Sequence, residues 1–198
     1  MTDFSAPSFI VIEGLDGTGK STLAVKLAER LPAVCLRTPP DELQNIRETI
    51  DNTYCECGIA TQLFYGSTVA YISDKIRSFV SRGQSVVVDR YWLSTHVYAR
   101  CRNDSVDLSV MVPKLQKPHM TIWLDLDDAV RQQRMQKRGV ITDADRASIQ
   151  HHKKLREIYQ QAFSLPVAGD VFEIDTGKLN PDQCADYVIQ ELTRTLAA

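Results

Sequence analysis

The sequence predicts an α/β fold, as one three-layer α/β/α domain with a five-stranded parallel sheet and a short lid. Three observations support this prediction. Five apolar, β-branched runs of strand length alternate with longer segments whose apolar residues recur at helical spacing. A glycine-rich loop joins the first run to the first helical segment. No repeat, linker or low-complexity tract interrupts the 198 residues, so we expect residues 1–198 to form a single domain.

The glycine-rich loop has the pattern G-x-x-x-x-G-K-S over residues 14–21. The apolar run Phe9–Ile12 precedes it, and helical spacing from Leu23 to Leu31 follows it, as a phosphate-binding loop (P-loop) requires. Glycines let the backbone turn its N–H groups toward an anion, and the helix N-terminus adds partial positive charge. The lysine of such a loop reaches the β- and γ-phosphates of a nucleoside triphosphate, and the serine ligates Mg²⁺. The predicted donor site comprises Gly14, Asp16, Gly17, Thr18, Gly19, Lys20, Ser21 and Thr22.

The segments that follow the P-loop continue the alternation. We predict a second strand over Ala33–Leu36, a short helix over Glu42–Ile50 and a long helix over about Gly58–Arg82, which Gly83 ends. The two prolines at positions 39 and 40 exclude a helix directly after the second strand.

A third strand, built on three consecutive valines, carries Asp89 and Arg90 at its carboxyl end. Ligands of open α/β sheets bind at the carboxyl ends of the strands. An aspartate there can hold a magnesium-bound water beside the P-loop, and the neighbouring arginine can bind a phosphate through two parallel hydrogen bonds. The sequence therefore predicts a metal site formed by Ser21 and Asp89, with a second phosphate anchor at Arg90.

The second half of the chain carries a row of arginines. Arg131, Arg134 and Arg138 are three and four residues apart, which places them on one face of a predicted helix that Gly139 ends. The segment of about 139–146 is the predicted lid. The other predicted elements are helices over Trp92–Arg102, about Leu108–Met111, about Asp145–Phe163 and from Pro181 onward, and strands over Met120–Leu126 and Val171–Asp175.

Charge and cysteine usage exclude several classes of protein. Lys and Arg total 23 against 25 Asp and Glu, and this net charge of −2 argues against binding to nucleic acid or to a membrane surface. The sequence has no apolar run of membrane-spanning length, and we expect no signal peptide before the first strand. The five cysteines are scattered and lack zinc-ligand spacing, so we expect free thiols and a cytoplasmic protein.

A P-loop alone does not separate kinases from GTPases and motor ATPases. The chain lacks the guanine-reading N-K-x-D pattern, and its length leaves no room for a motor domain. The second anchor favours a kinase that holds two nucleotides. Lys20 and Mg²⁺ would bind the ATP donor in such a site, and Arg90 would bind the acceptor phosphate.

Residues 13–22 and 88–95 resemble the thymidylate kinase family of nucleoside monophosphate kinases. The resemblance extends in order over nearly the whole chain. Within the family, residues 38–40, 64–66 and 89–95 look more like the mitochondrial type of UMP–CMP kinase. The resemblance to the thymidylate kinase family as a whole also rests on Arg-x-Pro-Pro at 37–40, Leu63-Phe64, Lys117-Pro118, Arg134-x-x-x-Arg138-Gly139 and Arg156-x-x-Tyr159.

The resemblance implies a function for each site residue. On the donor side, Arg134 and Arg138 approach the ATP, Thr176 borders the adenine, and Arg146 brings transition-state charge from the lid. On the acceptor side, Phe64 stacks on the base and Tyr98 lies under the ribose. The implied catalytic set is Lys20, Asp16, Arg90, Arg138 and Arg146, and the implied acceptor-binding set is Asp16, Arg37, Phe64, Thr68, Arg90, Thr95 and Tyr98. The resemblance also implies a homodimer.

One position departs from the family pattern. Thymidylate kinases usually place an arginine four residues after the stacking phenylalanine, where it donates to the O4 of thymine, but this chain has Thr68. A hydroxyl both donates and accepts, so cytosine becomes admissible. We therefore expect phosphorylation of CMP, UMP, dCMP, dUMP or dTMP. The alternatives are a dTMP-specific thymidylate kinase, a deoxynucleoside kinase and a non-catalytic ATP-binding regulator.

Plainer interpretations of the same residues stay open. Phe64 can belong to the hydrophobic core, and Thr68 can point away from the base. Arg131 is expected on a solvated helix face, in contrast to Arg134 and Arg138. Arg146 can serve only in local pairing at a helix start.

Overall fold

The structure, a computed structural model, describes residues 7–103, 106–139 and 143–197. Neighbouring strands pair in parallel throughout the sheet, in the order β2-β3-β1-β4-β5. The predicted five-stranded parallel sheet is therefore confirmed. Its strands are β1 (Phe9–Gly14), β2 (Val34–Arg37), β3 (Val86–Asp89), β4 (Met120–Asp125) and β5 (Asp170–Asp175).

Helices cover both faces of the sheet. Alternate side chains of β1 point to opposite faces, so Val11 belongs to the core that includes α3, α4 and α7, whereas Ile12 belongs to the core with α1 and α8. This arrangement forms the three predicted layers. The helices are α1 (Lys20–Arg30), α2 (Gln44–Thr53), α3 (Gly58–Ser81), α4 (Trp92–Arg102), α5 (Asp128–Lys137), α6 (Asp143–Gln150), α7 (His152–Ala162) and α8 (Pro181–Ala197).

Two elements differ from the sequence-based expectation. The single helix expected over Asp145–Phe163 is divided into α6 and α7 at His151, whose φ of −109° and ψ of 17° leave the helical range. Ser148 of α6 contacts α5, whereas Tyr159 of α7 packs on the sheet, and sequence periodicity does not reveal two packing directions. The short helix expected near Leu108–Met111 is a 3₁₀ turn over Ser109–Lys114.

Strand register brings the functional segments together. Ile12 of β1 lies opposite Asp89 of β3, and the Arg90 amide donates to the Ile12 carbonyl at 3.0 Å. On the other side of β3, the Thr38 amide donates to the Asp89 carbonyl at 3.1 Å. The P-loop, the Asp89-Arg90 pair and the segment after β2 therefore share one edge of the sheet.

The predicted lid of 139–146 lies partly outside the described residues, which omit 140–142. Within the described ranges, no helix is both long and apolar enough to cross a membrane.

Candidate active site

The P-loop of residues 14–19 turns on glycines. Gly17 has a φ of +87° and Gly19 a φ of +96°, values that residues with a side chain rarely adopt. Gly17 is also crowded, because a Cβ atom there would lie 2.8 Å from Met135 Cγ and 3.0 Å from the Arg131 carbonyl oxygen. The loop is thus packed closely against α5, and it delivers Lys20 to the first turn of α1.

The replacement Gly17→Ala should destabilise the protein more than Gly19→Ala. Both substitutions impose a left-handed conformation on alanine, at about 1–2 kcal/mol each. Only Gly17→Ala adds a steric clash, worth about 1–3 kcal/mol, because no described atom lies within 4 Å of a Cβ at Gly19. Urea unfolding of the two variants measures the difference directly. Equal losses of stability would contradict the close packing of the loop on α5.

Lys20 and Asp16 form a largely buried charged group with Arg90. Lys20 is 7% exposed, its Nζ donates to the Leu15 carbonyl at 2.8 Å, and it lies 3.8 Å from Asp16 Oδ1. The pKa of Lys20 is lowered to about 8, because burial and then Arg90 lower it by more than Asp16 and the other nearby carboxylates raise it. Burial alone would raise the pKa of Asp16, but Arg90 and then Lys20 hold it well below its usual range. Asp16 is therefore a carboxylate at neutral pH.

Ser21 and Asp89 lie together, as predicted for a metal site. The Ser21 hydroxyl donates to Asp89 Oδ2. Asp89 is 8% exposed, and within the described part of the chain its buried Oδ1 has no hydrogen-bond partner. Mg²⁺ prefers oxygen ligands, and a buried carboxylate oxygen without a hydrogen-bond partner, beside a serine hydroxyl, is suited to that role.

Arg90 joins the two halves of the site. Its backbone is left-handed, with a φ of 68°, an uncommon conformation that is often found at functional sites. The Arg90 guanidinium donates to Asp16, to the Gly14 carbonyl at 3.3 Å and to Ser94 Oγ at 3.1 Å. The Thr38 hydroxyl donates to the Arg90 carbonyl at 2.6 Å. These contacts fix the direction of the side chain.

Two adjoining cavities meet at Asp16 and Arg90. The first, of about 380 Å³, lies over the P-loop; its lining includes Lys20, Ser21 and Asp89. The second, of about 290 Å³, extends away from the P-loop between α2, α3 and α4. Of the remaining predicted residues, Gly17, Gly19, Thr22, Arg37, Arg134 and Arg138 line the first cavity, and Thr95 and Tyr98 line the second. We call these the donor cavity and the acceptor cavity.

Of the two neighbouring aromatic residues of α3, Tyr65 lines the acceptor cavity and Phe64 does not. Phe64 is half-buried and contacts the edge of the Tyr65 ring, with 5.3 Å between the ring centroids. Thr68 is 2% exposed, does not line the cavity, and donates its hydroxyl to the Tyr65 carbonyl at 2.8 Å. The plainer interpretation of Thr68 thus agrees with its position, and the base-reading argument for cytosine loses its geometric support.

Sequence reasoning missed a polar group in the acceptor cavity. The Tyr65 hydroxyl donates to Asp51 Oδ1 at 2.8 Å and accepts from Arg47 Nε at 3.2 Å, and all three residues line the cavity. Thr61 lies one helical turn before Tyr65 on the same wall. The four-residue spacing of positions 61 and 65 along α3 could have indicated that both face the same side. No comparable indication exists in the sequence for Arg47 and Asp51, because they come from α2.

The arginines at positions 134, 138 and 146 lie in different surroundings. Arg134 donates to the Thr176 carbonyl at 2.9 Å, so these two predicted ATP neighbours lie together. Arg138 is 54% exposed and pairs with Asp145 of α6. Arg146 is exposed on α6 and lines neither cavity. The structure therefore does not bring Arg146 to the cleft with the other predicted catalytic residues.

One expectation about side-chain exposure is wrong, and one side chain of the P-loop is turned inward. Arg131 is not on a solvated face: it is 0% exposed beneath the P-loop and donates to the Asp16 carbonyl at 2.9 Å, because α5 packs directly against that loop. The Thr18 side chain is 1% exposed and turned inward, where its hydroxyl donates to the Leu15 carbonyl at 2.9 Å. Thr18 therefore shapes the loop from inside.

Glu13, the residue directly before the P-loop, is fully buried, and its carboxylate lies against the start of α4. Glu13 Oε1 accepts from the amides of Tyr91 at 3.0 Å and Ser94 at 3.2 Å. Glu13 Oε2 accepts from the hydroxyls of Ser94 at 2.6 Å and Tyr159 at 3.1 Å. Burial raises the pKa of Glu13 against the effect of these hydrogen bonds. Both carboxylate oxygens are thus engaged in holding α4.

Comparison with solved structures agrees with this architecture. A thymidylate kinase from Candida albicans superposes with a TM-score of 0.70 at 23% identity, covering 96% of this chain and 93% of that chain. A deoxyadenosine kinase from M. mycoides superposes with a TM-score of 0.71 at 17% identity, covering 93% and 98%. At these identities the likeness shows the fold alone.

Comparison by sequence is more specific. A thymidylate kinase from Pseudoalteromonas translucida is 29% identical over 96% of this chain and 95% of its own length. A probable thymidylate kinase from Methanococcus vannielii is 29% identical over 86% and 88%. These relatives give no support to the UMP–CMP kinase branch. The sequence model of the family described as "Thymidylate kinase" matches residues 12–181. The chain therefore belongs to the thymidylate kinase family of nucleoside monophosphate kinases.

Proposed function

We propose that the protein transfers the γ-phosphoryl group of ATP to the phosphate of a pyrimidine nucleoside monophosphate, with dTMP as its acceptor. The observation that carries the proposal is the pair of cavities that meet at Asp16 and Arg90. The choice of dTMP over CMP or UMP follows the names of the relatives and the buried position of Thr68.

The proposed reaction is an in-line transfer with ADP as the leaving group and no covalent enzyme intermediate. Lys20 neutralises charge on the donor phosphates, and Arg90 binds the acceptor phosphate. Ser21 would hold Mg²⁺, with Asp89 acting through a bound water, and the metal would neutralise charge on the β- and γ-phosphates. Arg134, Arg138 and Thr176 bound the donor side in this proposal, and Arg37 supports the phosphate near the junction.

The acceptor cavity suits a deoxynucleotide in this proposal. Tyr98 lines the cavity, and its hydroxyl donates to Asp16 Oδ2 at 3.2 Å. A phenol ring held in this way leaves little room for a ribose 2′-hydroxyl. Tyr65 provides the aromatic surface for the base, and its hydroxyl is fixed by Arg47 and Asp51.

A deoxynucleoside kinase, which shares the fold, needs a base near the acceptor's 5′-hydroxyl. Glu13 is the carboxylate before the P-loop, but four hydrogen bonds occupy it and it lines neither cavity. The acceptor of the proposal already carries a phosphate, so it needs no such base. Glu13 is therefore not placed to act as such a base.

A coupled assay of ADP release tests the proposal. The acceptors are dTMP, dUMP, UMP, dCMP, CMP, AMP and GMP, each with ATP and Mg²⁺, and thymidine and deoxycytidine serve as controls without phosphate. We expect the highest kcat/KM for dTMP and no turnover of the nucleosides. Preference for CMP or UMP would overturn the choice of acceptor, and turnover of the nucleosides alone would establish a deoxynucleoside kinase instead.

Two further properties accompany the proposal. We propose a homodimer, as the family resemblance implies, and α3 leaves Ile59, Leu63 and Tyr71 substantially exposed, as a helical contact face would. Light scattering after size-exclusion chromatography measures the mass in solution. We also propose a cytoplasmic location, where ATP is available.

A further inference from the structure

Arg131 is a fully buried cation beside the proposed site, and the proposed mechanism does not use it. It is 0% exposed, although charged residues are seldom fully buried unless they are paired. Its Nη2 and Nε donate to Asp128 Oδ1 at 2.6 and 3.0 Å. Burial alone would raise the pKa of Asp128, but the hydrogen bonds from Arg131 and Gln132 keep it below its usual value. The charge of Arg131 is therefore balanced within α5.

The remaining donors of Arg131 leave α5 and contact two other elements. Nη1 donates to the Asp16 carbonyl of the P-loop at 2.9 Å and lies 3.3 Å from Ser148 Oγ of α6. Gly17 of the P-loop packs on the backbone and Cγ of Arg131. One planar guanidinium thus connects the P-loop, α5 and α6.

The α6 contact leads back to the acceptor cavity. Ser148 is 0% exposed and its side chain lies near the Tyr98 hydroxyl, which in turn donates to the Asp16 carboxylate at 3.2 Å. Ala147, the residue before Ser148, lines the acceptor cavity. Arg131, Asp16, Tyr98 and Ser148 therefore form a closed ring of contacts that joins the donor loop to a wall of the acceptor cavity.

We propose that Arg131 is a positioning residue that fixes the P-loop at Asp16 relative to α6, and so holds the donor and acceptor phosphates in register. The proposal rests on the proposed function and adds a residue to it. Misplacement of reacting groups by about 1 Å lowers a rate about a hundredfold while affecting binding much less. Loss of Arg131 should therefore lower kcat more than it raises either KM.

The first experiment compares Arg131→Met, Arg131→Lys and Ser148→Ala with wild type, using ATP and the best acceptor of the assay above. We expect Arg131→Met to lower kcat about ten- to a hundredfold, with both KM values within about threefold. Arg131→Lys, which keeps the charge but loses the fork of donors, should recover part of the rate. Arg30→Met is the matched control, because Arg30 is a partly exposed arginine paired with Asp182 and Asp186.

A second measurement does not depend on the acceptor. Amide hydrogen exchange of residues 14–20 should be at least about tenfold faster in Arg131→Met and in Ser148→Ala, while exchange in α8 stays unchanged. Absence of any monophosphate kinase activity in wild type would refute the proposed function, but this measurement would still judge Arg131. Unchanged exchange together with unchanged kcat would overturn the positioning proposal. If Arg131→Met fails to fold, Ser148→Ala and Arg131→Lys decide by the same two readouts.

Discussion

Lys20→Ala should lower kcat by about 10²- to 10³-fold or more, because one preorganised charged donor beside the transferred group is worth that much. Lys20 is 7% exposed and lies where the P-loop meets α1. Water that enters this position in the variant therefore compensates poorly for the lost positive charge. Initial rates at saturating ATP and acceptor measure the effect.

The same substitution should not weaken the fold. Burial lowers the pKa of Lys20 to about 8, which means that the folded state disfavours its charge. Arg90 still pairs with Asp16 when Lys20 is removed. The urea midpoint of Lys20→Ala should therefore equal or exceed that of wild type. Lys26→Ala, which removes a partly exposed lysine of the same helix paired with Asp182 at 2.8 Å, should leave kcat unchanged. Normal turnover by Lys20→Ala would refute the mechanism.

The predictable part of the site depends on strand ends. The P-loop and the Asp89-Arg90 pair each follow a strand that local sequence identifies. A parallel sheet brings the carboxyl ends of its strands to one edge, so their proximity followed from the fold class alone. Ser21 and Asp89 are consequently in contact, as expected.

The unpredicted part depends on helix rotation and on contacts between helices. Residues 64 and 65 differ by about 100° around α3, and periodicity did not decide which of them faces the cavity. Arg131 and Arg134 share a helix face in the sequence, but the packing of α5 turns the first under the P-loop and leaves the second in the donor cavity. The division between α6 and α7 has the same origin, because each helix packs on a different partner.

Arg90→Ala should lower kcat/KM for the acceptor by about 10²- to 10³-fold, while the affinity for ATP changes by less than about threefold. Arg90, like Arg47, lines both cavities, and the Arg90 side chain is held by Asp16, Ser94 and the Gly14 carbonyl. A lysine offers a point charge without the planar fork, so Arg90→Lys should recover only part of the loss.

The test separates binding of the acceptor from binding of the donor. Acceptor KM and kcat come from initial rates, and the ATP dissociation constant comes from calorimetry on the same variants. Arg77→Ala, an exposed arginine of α3 that pairs with Asp74, is the matched control and should behave as wild type. Equal losses in ATP affinity and acceptor kcat/KM would assign Arg90 to the donor phosphates. A loss of acceptor kcat/KM with unchanged ATP affinity would support Arg90 as the second phosphate anchor. In that case Arg90 binds the acceptor phosphate, and the P-loop binds the phosphates of ATP.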